Sequence, residues 1–339
     1  QAQDGARVLR AGAVAMSGDA ASAAASRPFG MDMAWIPAHW TAVPSAPRAD
    51  AAAVERHLRA QRPVLLTGGS LVPTSHWEDI GALVGRLGGT QVLVKRSGRE
   101  RVAYFREDRN TGRHSFDGES FVAEARVAFP EFVRMAHEAQ TTPARGAAPA
   151  RGEGCPAQAD SRPEGVLYCQ ESFTGHPELS EEFRSWDWQW IMEQTGRHGW
   201  GDPETSVLFM GSEGATTPAH FDEQHNFLNQ VRGEKLVVLF PPDDYTRLYP
   251  FPVTHPCDRC SMVDVRSPDL RSFPRFAEAR GQVATLRPGD LLYIPHGWWH
   301  YCRTLTHLAA SVAFWAQDAP ADPLAGSGGA PRPLGAAAL

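Results

Sequence analysis

The sequence predicts a mainly β domain with flanking helices, closed as a double-stranded β-helix. Short apolar stretches rich in β-branched and aromatic residues, each bounded by turn residues, crowd the second half. The helical stretches gather in the first half, the pattern of a barrel decorated from outside. The turn "RPGD" (287–290), which Pro288 and Gly289 fix, leads at once into an apolar strand and then "IPHGWWH".

In chain order, "ADAAAVERHLRAQ" (49–61) and "HWEDIGALVGRLG" (76–88) read as helices on either side of the strand "RPVLLTGG" (62–69). "TQVLVKRS" (90–97) and "RVAYFRE" (101–107) read as strands, and "FVAEARVAFPEFVRMAHEA" (121–139) as a helix. The strand "GVLYCQES" (165–172) and the helix "DWQWIMEQTG" (187–196) follow. "SVLFMGS" (206–212), "EKLVVLFPP" (234–242), "DLLYIPH" (290–296) and "LAASVAFWA" (308–316) are strands. The tryptophans at 186, 188, 190 and 200 are expected to pack in the core and on helices, not to form a binding cage.

Three segments have little to bury: residues 1–30, an insertion at 141–164, and a tail at 319–339, all rich in Ala, Gly, Pro or Ser. They are expected to be unstructured around and within one domain at 31–318. The opening stretch has the bias of a transit peptide, but Asp4 and Asp19 weigh against that reading.

With 42% hydrophobic and 21% charged residues in 339, the composition is that of a globular domain. A net charge of −6 and the lack of a basic run argue against a nucleic-acid partner. No apolar run is long enough for a membrane helix. The five scattered cysteines suit a reducing compartment, cytoplasmic or nuclear.

The chemistry concentrates in "TPAHFDEQHNFLNQVRGEK" (217–235). On a strand, residues i and i+2 share a face, so His220 and Asp222 point the same way. With His300 from a later strand they offer two imidazoles and a carboxylate. Such a set leaves three adjacent positions open, as non-haem Fe(II) oxygenases require for a chelating 2-oxo acid and O2. A satisfied surface or core pair is the plain alternative for H-x-D. "HGWWH" could instead be an i, i+4 zinc pair, but Pro295 and Gly297 oppose a helix. "HPCDRC" (255–260) has one zinc-ligand spacing without a second C-x-x-C, so a loop shaping a groove is expected there.

Lys235 opens a strand read as lying next to the metal strand. An unpaired ammonium is costly to bury there, and the distal carboxylate of 2-oxoglutarate would pair it. Thr217 and Tyr168 could add hydroxyl hydrogen bonds, and Asn226 lies on the face of His220. A strand-edge lysine with its head in water is the alternative.

The block 199–316, with "TPAH-D-Q-NF", "LFPPD", "LYP-PV-HPCDR" and "PGD-LYIP--WWH", resembles the factor-inhibiting HIF family of asparaginyl hydroxylases. These are JmjC-type oxygenases of the jelly-roll or cupin kind. "SWDWQWI", "GRHGWG" and "LYCQES" extend the likeness, which covers roughly residues 32–316 and is dense after Gly199. The resemblance implies Fe(II) on His220, Asp222 and His300, and 2-oxoglutarate held by Lys235, Thr217, Tyr168 and Asn226. It places a peptide substrate against Tyr104, Gln170, Gln224 and Arg259. It implies β-hydroxylation of asparagine, or a similar side chain, in an extended segment such as an ankyrin repeat or a transcription factor.

This chain departs from the pattern at several points. Ala313 stands where the family has an asparagine, and the segment after His300 is two residues shorter. Cys260 replaces a glutamine, Arg106 an aspartate, and the tail lacks the family's dimerisation helices. Other readings left open by the residues are a JmjC lysyl hydroxylase or demethylase and a catalytically silent peptide-binding barrel.

Overall fold

The computed structural model describes residues 33–97, 122–141, 165–173, 176, 180–203 and 205–318. The strand expected at 101–107, the segments 1–30 and 319–339, all of the insertion beyond Thr141, and Tyr104 and Arg106 lie outside them.

The strands β1 (Thr41–Ala42) and β2 (Ser45–Pro47) precede the helix α1 (Ala51–Arg59), and β3 (Val64–Thr67) precedes the short helices α2 (Ser75–Glu78) and α3 (Ile80–Arg86). β4 (Gln91–Ser97), β5 (Val122–Ala128), α4 (Phe129–Thr141) and β6 (Val166–Ser172) come next. The helices α5 (Ser180–Arg184) and α6 (Trp188–Arg197) lead into β7 (Thr205–Gly211), β8 (Thr216–Phe221), β9 (His225–Arg232) and β10 (Lys235–Phe240). The chain closes with β11 (Gln282–Leu286), β12 (Leu291–Ile294), β13 (Trp299–Thr304) and β14 (Ala309–Ala316).

Two sheets result. One has the order β1-β11-β10-β13-β8, and the other β2-β3-β12-β9-β14-β7-β6-β4-β5. Val237, Leu239, Ala284 and Leu286 from the first meet Leu228, Leu292, Ile294 and Ala313 from the second, forming the inner core. The other face of the larger sheet is covered by α1, α2, α3, α4 and α6 through Val54, Leu58, Trp77, Leu83, Phe132 and Ile191. Strands buried on both faces explain runs such as "LLYI" that show no alternation. Each such aliphatic side chain contributes ~1.5–3 kcal/mol. The mainly β jelly-roll expected from the sequence is the fold observed. Trp186 and Trp200 are buried in this core, and Trp188 and Trp190 pack against it.

The structure corrects three local expectations. The helix expected at 121–139 is a strand followed by a helix. "VAEARVA" pairs with β4, Gln91 opposite Ala128, and the helix begins only at Phe129, with Pro130 in its first turn. The helix expected at 76–88 breaks at Asp79, whose backbone is extended and whose carboxylate caps the amides of Gly81 and Ala82 at 2.7 and 3.3 Å. The strand of Lys235 does not adjoin the strand of His220: β13 lies between them, carrying His300.

Gly281 shows how tightly the sheet edge packs. A Cβ there would collide with the indole of Trp40, which is wedged against Phe240 and Phe276 at ring distances of 5.2 and 6.2 Å. Gly281→Ala is therefore expected to lower stability by ~1–3 kcal/mol, read as a shifted denaturant midpoint at constant slope. Among the described residues, no helix is long and apolar enough to cross a membrane.

Candidate metal centre

His220 lies near the end of β8 and His300 near the start of β13, paired directly across the antiparallel ladder. Their ring centroids are 4.1 Å apart. Asp222 is the first residue but one past His220, just where β8 ends and the chain turns into β9. Its Oδ1 lies 3.9 Å from His220 Nε2, and its Oδ2 lies 3.7 Å from His300 Nε2. These are the only three such side chains among the described residues whose donor atoms converge. Residues 296–300 are turn and strand, so "HGWWH" is not a helical zinc pair.

The imidazoles are oriented for a metal. His220 Nδ1 is 2.9 Å from the Pro218 carbonyl and His300 Nδ1 is 3.2 Å from the Trp298 carbonyl. A carbonyl only accepts, so each Nδ1 carries the proton and each Nε2 turns a lone pair toward Asp222. Burial, helped by His220, pushes His300 down to about 4, with Asp222 acting against both. A neutral imidazole is the form that binds metal. The donor set, two nitrogens and one oxygen on one side, fits Fe(II) with open positions.

Asp222 is itself held. Trp315, on β14, donates its indole N–H to Asp222 Oδ2 at 3.2 Å, and the Gly297 amide donates to the Asp222 carbonyl at 3.0 Å. Trp315 was not singled out by sequence reasoning. The available signal was its spacing of two from Ala313, which puts both on the inner face of β14. Trp315→Phe keeps an aromatic ring, smaller than the indole, and deletes the donor. It is expected to weaken Co(II) or Fe(II) binding ~10–100-fold, measured by titration calorimetry on the apo protein.

A cavity of about 340 Å³ opens beside the triad. It brings together Lys235, Thr217, Tyr168 and Asn226, and also Gln170, Gln224 and Arg259. The structure therefore gathers every candidate residue it describes; Tyr104 falls outside. Asn226 reaches the cavity from β9, after the turn, not along a continuous strand from His220. Its Oδ1 is buried without a hydrogen-bond partner. Tyr168 is hydrogen-bonded to Thr217, and burial pushes its phenol up, keeping it a donor.

Lys235 is 3% exposed. Lys235, Val237 and Leu239 alternate on the inner face of β10, so the ammonium enters the space between the sheets. Its neighbours are the Phe209 ring, at 5.8 Å, and the Cys302 thiol. No hydrogen bond or ion pair reaches it among the described residues. Burial pushes it down to about 8, with Cys302 acting in the other direction. At the cavity wall, Arg259 adopts φ +64° and stands 3.7 Å from Glu223, and Lys95 stands 3.3 Å from Glu124. Sequence reasoning missed Lys95 and Cys302: Lys95 is followed by Arg96 and Ser97, and Cys302 lies between Tyr301 and Arg303, so neither stands out from its neighbours.

A sequence profile of the cupin-like domain family matches residues 50–322. The chain belongs to the cupin-like domain family. This cupin-like domain is 38% identical over 153 residues to lysine-specific demethylase 8 of Xenopus tropicalis, covering 44% of this chain and 32% of that protein. It is 40% identical over 122 residues to HSPB1-associated protein 1 of Rattus norvegicus, covering 35% and 25%. It is 39% identical over 117 residues to lysine-specific demethylase JMJ30 of Arabidopsis thaliana, covering 34% and 27%. The chain thus spans about a quarter to a third of the length of these relatives. They support the JmjC group at large, and not the factor-inhibiting HIF branch in particular.

Proposed function

We propose that this cupin-like domain is an Fe(II)- and 2-oxoglutarate-dependent protein hydroxylase, acting on asparagine or a similar side chain of an extended peptide. One observation carries the reading. Two imidazole lone pairs and a carboxylate converge beside a cavity that holds a buried ammonium with no ion-pair partner among the described residues.

His220, Asp222 and His300 would hold the iron. With 2-oxoglutarate and O2, iron in such a site supplies the chemistry that oxidises a C–H bond. Lys235 pairs with the distal carboxylate of the co-substrate, and Thr217 and Tyr168 hydrogen-bond to it. Asn226 offers its unpartnered amide oxygen and its NH2 group nearer the metal. Trp315 keeps the Asp222 carboxylate turned toward both histidines. Gln170, Gln224 and Arg259, with Tyr104, are the candidates for holding the peptide so that one C–H faces the metal. Supporting the reading is the resemblance to the factor-inhibiting HIF motifs, in which Tyr168, Gln170, Thr217, His220, Asp222, Gln224, Asn226, Arg259 and His300 fall.

The names of two relatives favour a second reading, lysine demethylation. The deciding experiment supplies Fe(II), 2-oxoglutarate and O2 with asparagine-containing ankyrin-type peptides or methyl-lysine peptides. Succinate with a peptide gain of one oxygen atom supports hydroxylation, and stepwise loss of methyl groups supports demethylation. No succinate under any condition would leave a silent peptide-binding barrel.

A further inference from the structure

Cys302 faces the same cavity as Lys235, and the proposed hydroxylation does not use it. It is opposite Val237 on one side and Thr217 on the other. Cross-strand partners share a face, so the thiol shares the inner face of β10 with Lys235. Lys235 stands two residues before Val237, the cross-strand partner of Cys302, and both groups line one cavity. Lys235 is nine-tenths buried and more, and no hydrogen bond or ion pair reaches it among the described residues. That ammonium marks an anion site, and the thiol stands beside it.

We propose that Lys235 and Cys302 form a covalent capture site for small anionic electrophiles, of the class of α,β-unsaturated carboxylates. The proposal shares with the hydroxylase reading only Lys235 as an anion anchor. The carboxylate pairs with the ammonium and holds the double bond at the sulfur. A C–S bond forms at the β-carbon, and the π pair moves to the α-carbon, which takes up the proton that sulfur loses. Atoms and electrons balance with no oxidant. The product is a thioether that fills the cavity beside the metal triad.

The other cysteines suit this less. Cys169 is fully buried in the outer core. Cys260 also lines the cavity, but its backbone is bridged to His220 at the metal end, and Asp258 acts on it where Lys235 does not. Set among apolar walls beside Val237 and Phe209, the Cys302 thiol is a sluggish nucleophile toward an unbound electrophile. A bound one gains from proximity.

The test uses the full metal-free chain, labelled with iodoacetate or its neutral counterpart iodoacetamide and read by mass spectrometry of the Cys302 peptide. Relative to glutathione, Cys302 is expected to favour iodoacetate by about tenfold or more, as a charge-assisted contact implies. Lys235→Met should abolish the preference, and Lys235→Arg should keep it, which separates lost charge from lost folding. Fumarate and maleate should then add to Cys302. Equal or inverse preference, or a preference that survives in Lys235→Met, overturns the inference. Failure of 2-oxoglutarate, added together with Mn(II) under anaerobic conditions, to protect Cys302, with the preference intact, overturns the co-substrate reading and leaves the capture site standing.

Discussion

Asp222→Ala is expected to abolish Fe(II) binding and turnover while the domain stays folded. The carboxylate is the only oxygen among the three converging ligands and faces both histidines, at 3.9 and 3.7 Å. Without it two imidazoles remain, and their rings keep the backbone bonds to Pro218 and Trp298. The loss in affinity should therefore exceed the ~10–100-fold expected from removing a supporting hydrogen bond. Calorimetric titration of the apo protein with Co(II) measures it. The Asp222 side chain is part-exposed, so its removal leaves no sealed cavity, and circular dichroism should not change. A variant that still binds metal tightly would show that the ion sits elsewhere.

Lys235→Met should raise the dissociation constant for 2-oxoglutarate by ~10–100-fold, since a hydrogen bond to a charged group is worth ~1.5–3 kcal/mol. The same change should stabilise the protein without co-substrate, because it removes a buried charge that has no ion-pair partner among the described residues. Opposite signs in binding and stability distinguish this from simple misfolding. The wild-type pH dependence follows from the same group. The diacid binds the ammonium form, so affinity should fall as pH rises through about 8, where the free lysine loses its proton. Folding without co-substrate has the reverse slope. Between about 8 in the folded state and 10.5 unfolded, the unfolded chain binds more protons, so stability gains with pH across that window. Lys235→Arg should flatten the binding profile.

Much of the centre was legible because its residues break local rules. A histidine, an aspartate and a lysine in otherwise apolar strands are costly alone, and the structure shows them facing one space. The strands at 166–172, 235–240 and 309–316 were visible as β-branched runs. What was hidden depended on partners far along the chain. "VAEARVA" carries helix-forming alanines and glutamate, yet pairing with β4 makes it a strand. β11 and the turn between β8 and β9 lacked a strong local pattern, so the alternation from His220 to Asn226 seemed continuous. Neither the Trp315 bond to Asp222 nor the place of β13 between His220 and Lys235 could be read from spacing. Both arise from sheet order.

Two of the three proposed ligands ride on β8 or its end, the outermost strand of its sheet, whose far side meets, among the described residues, only the short pairing at Arg259–Ser261. The third sits one strand further in, on a member paired along both sides. An ion there would act as a rivet between a peelable border and a fixed interior. Release would then need only local fraying, not global unfolding, and loading should slow amide exchange along 216–221 far more than along 235–240.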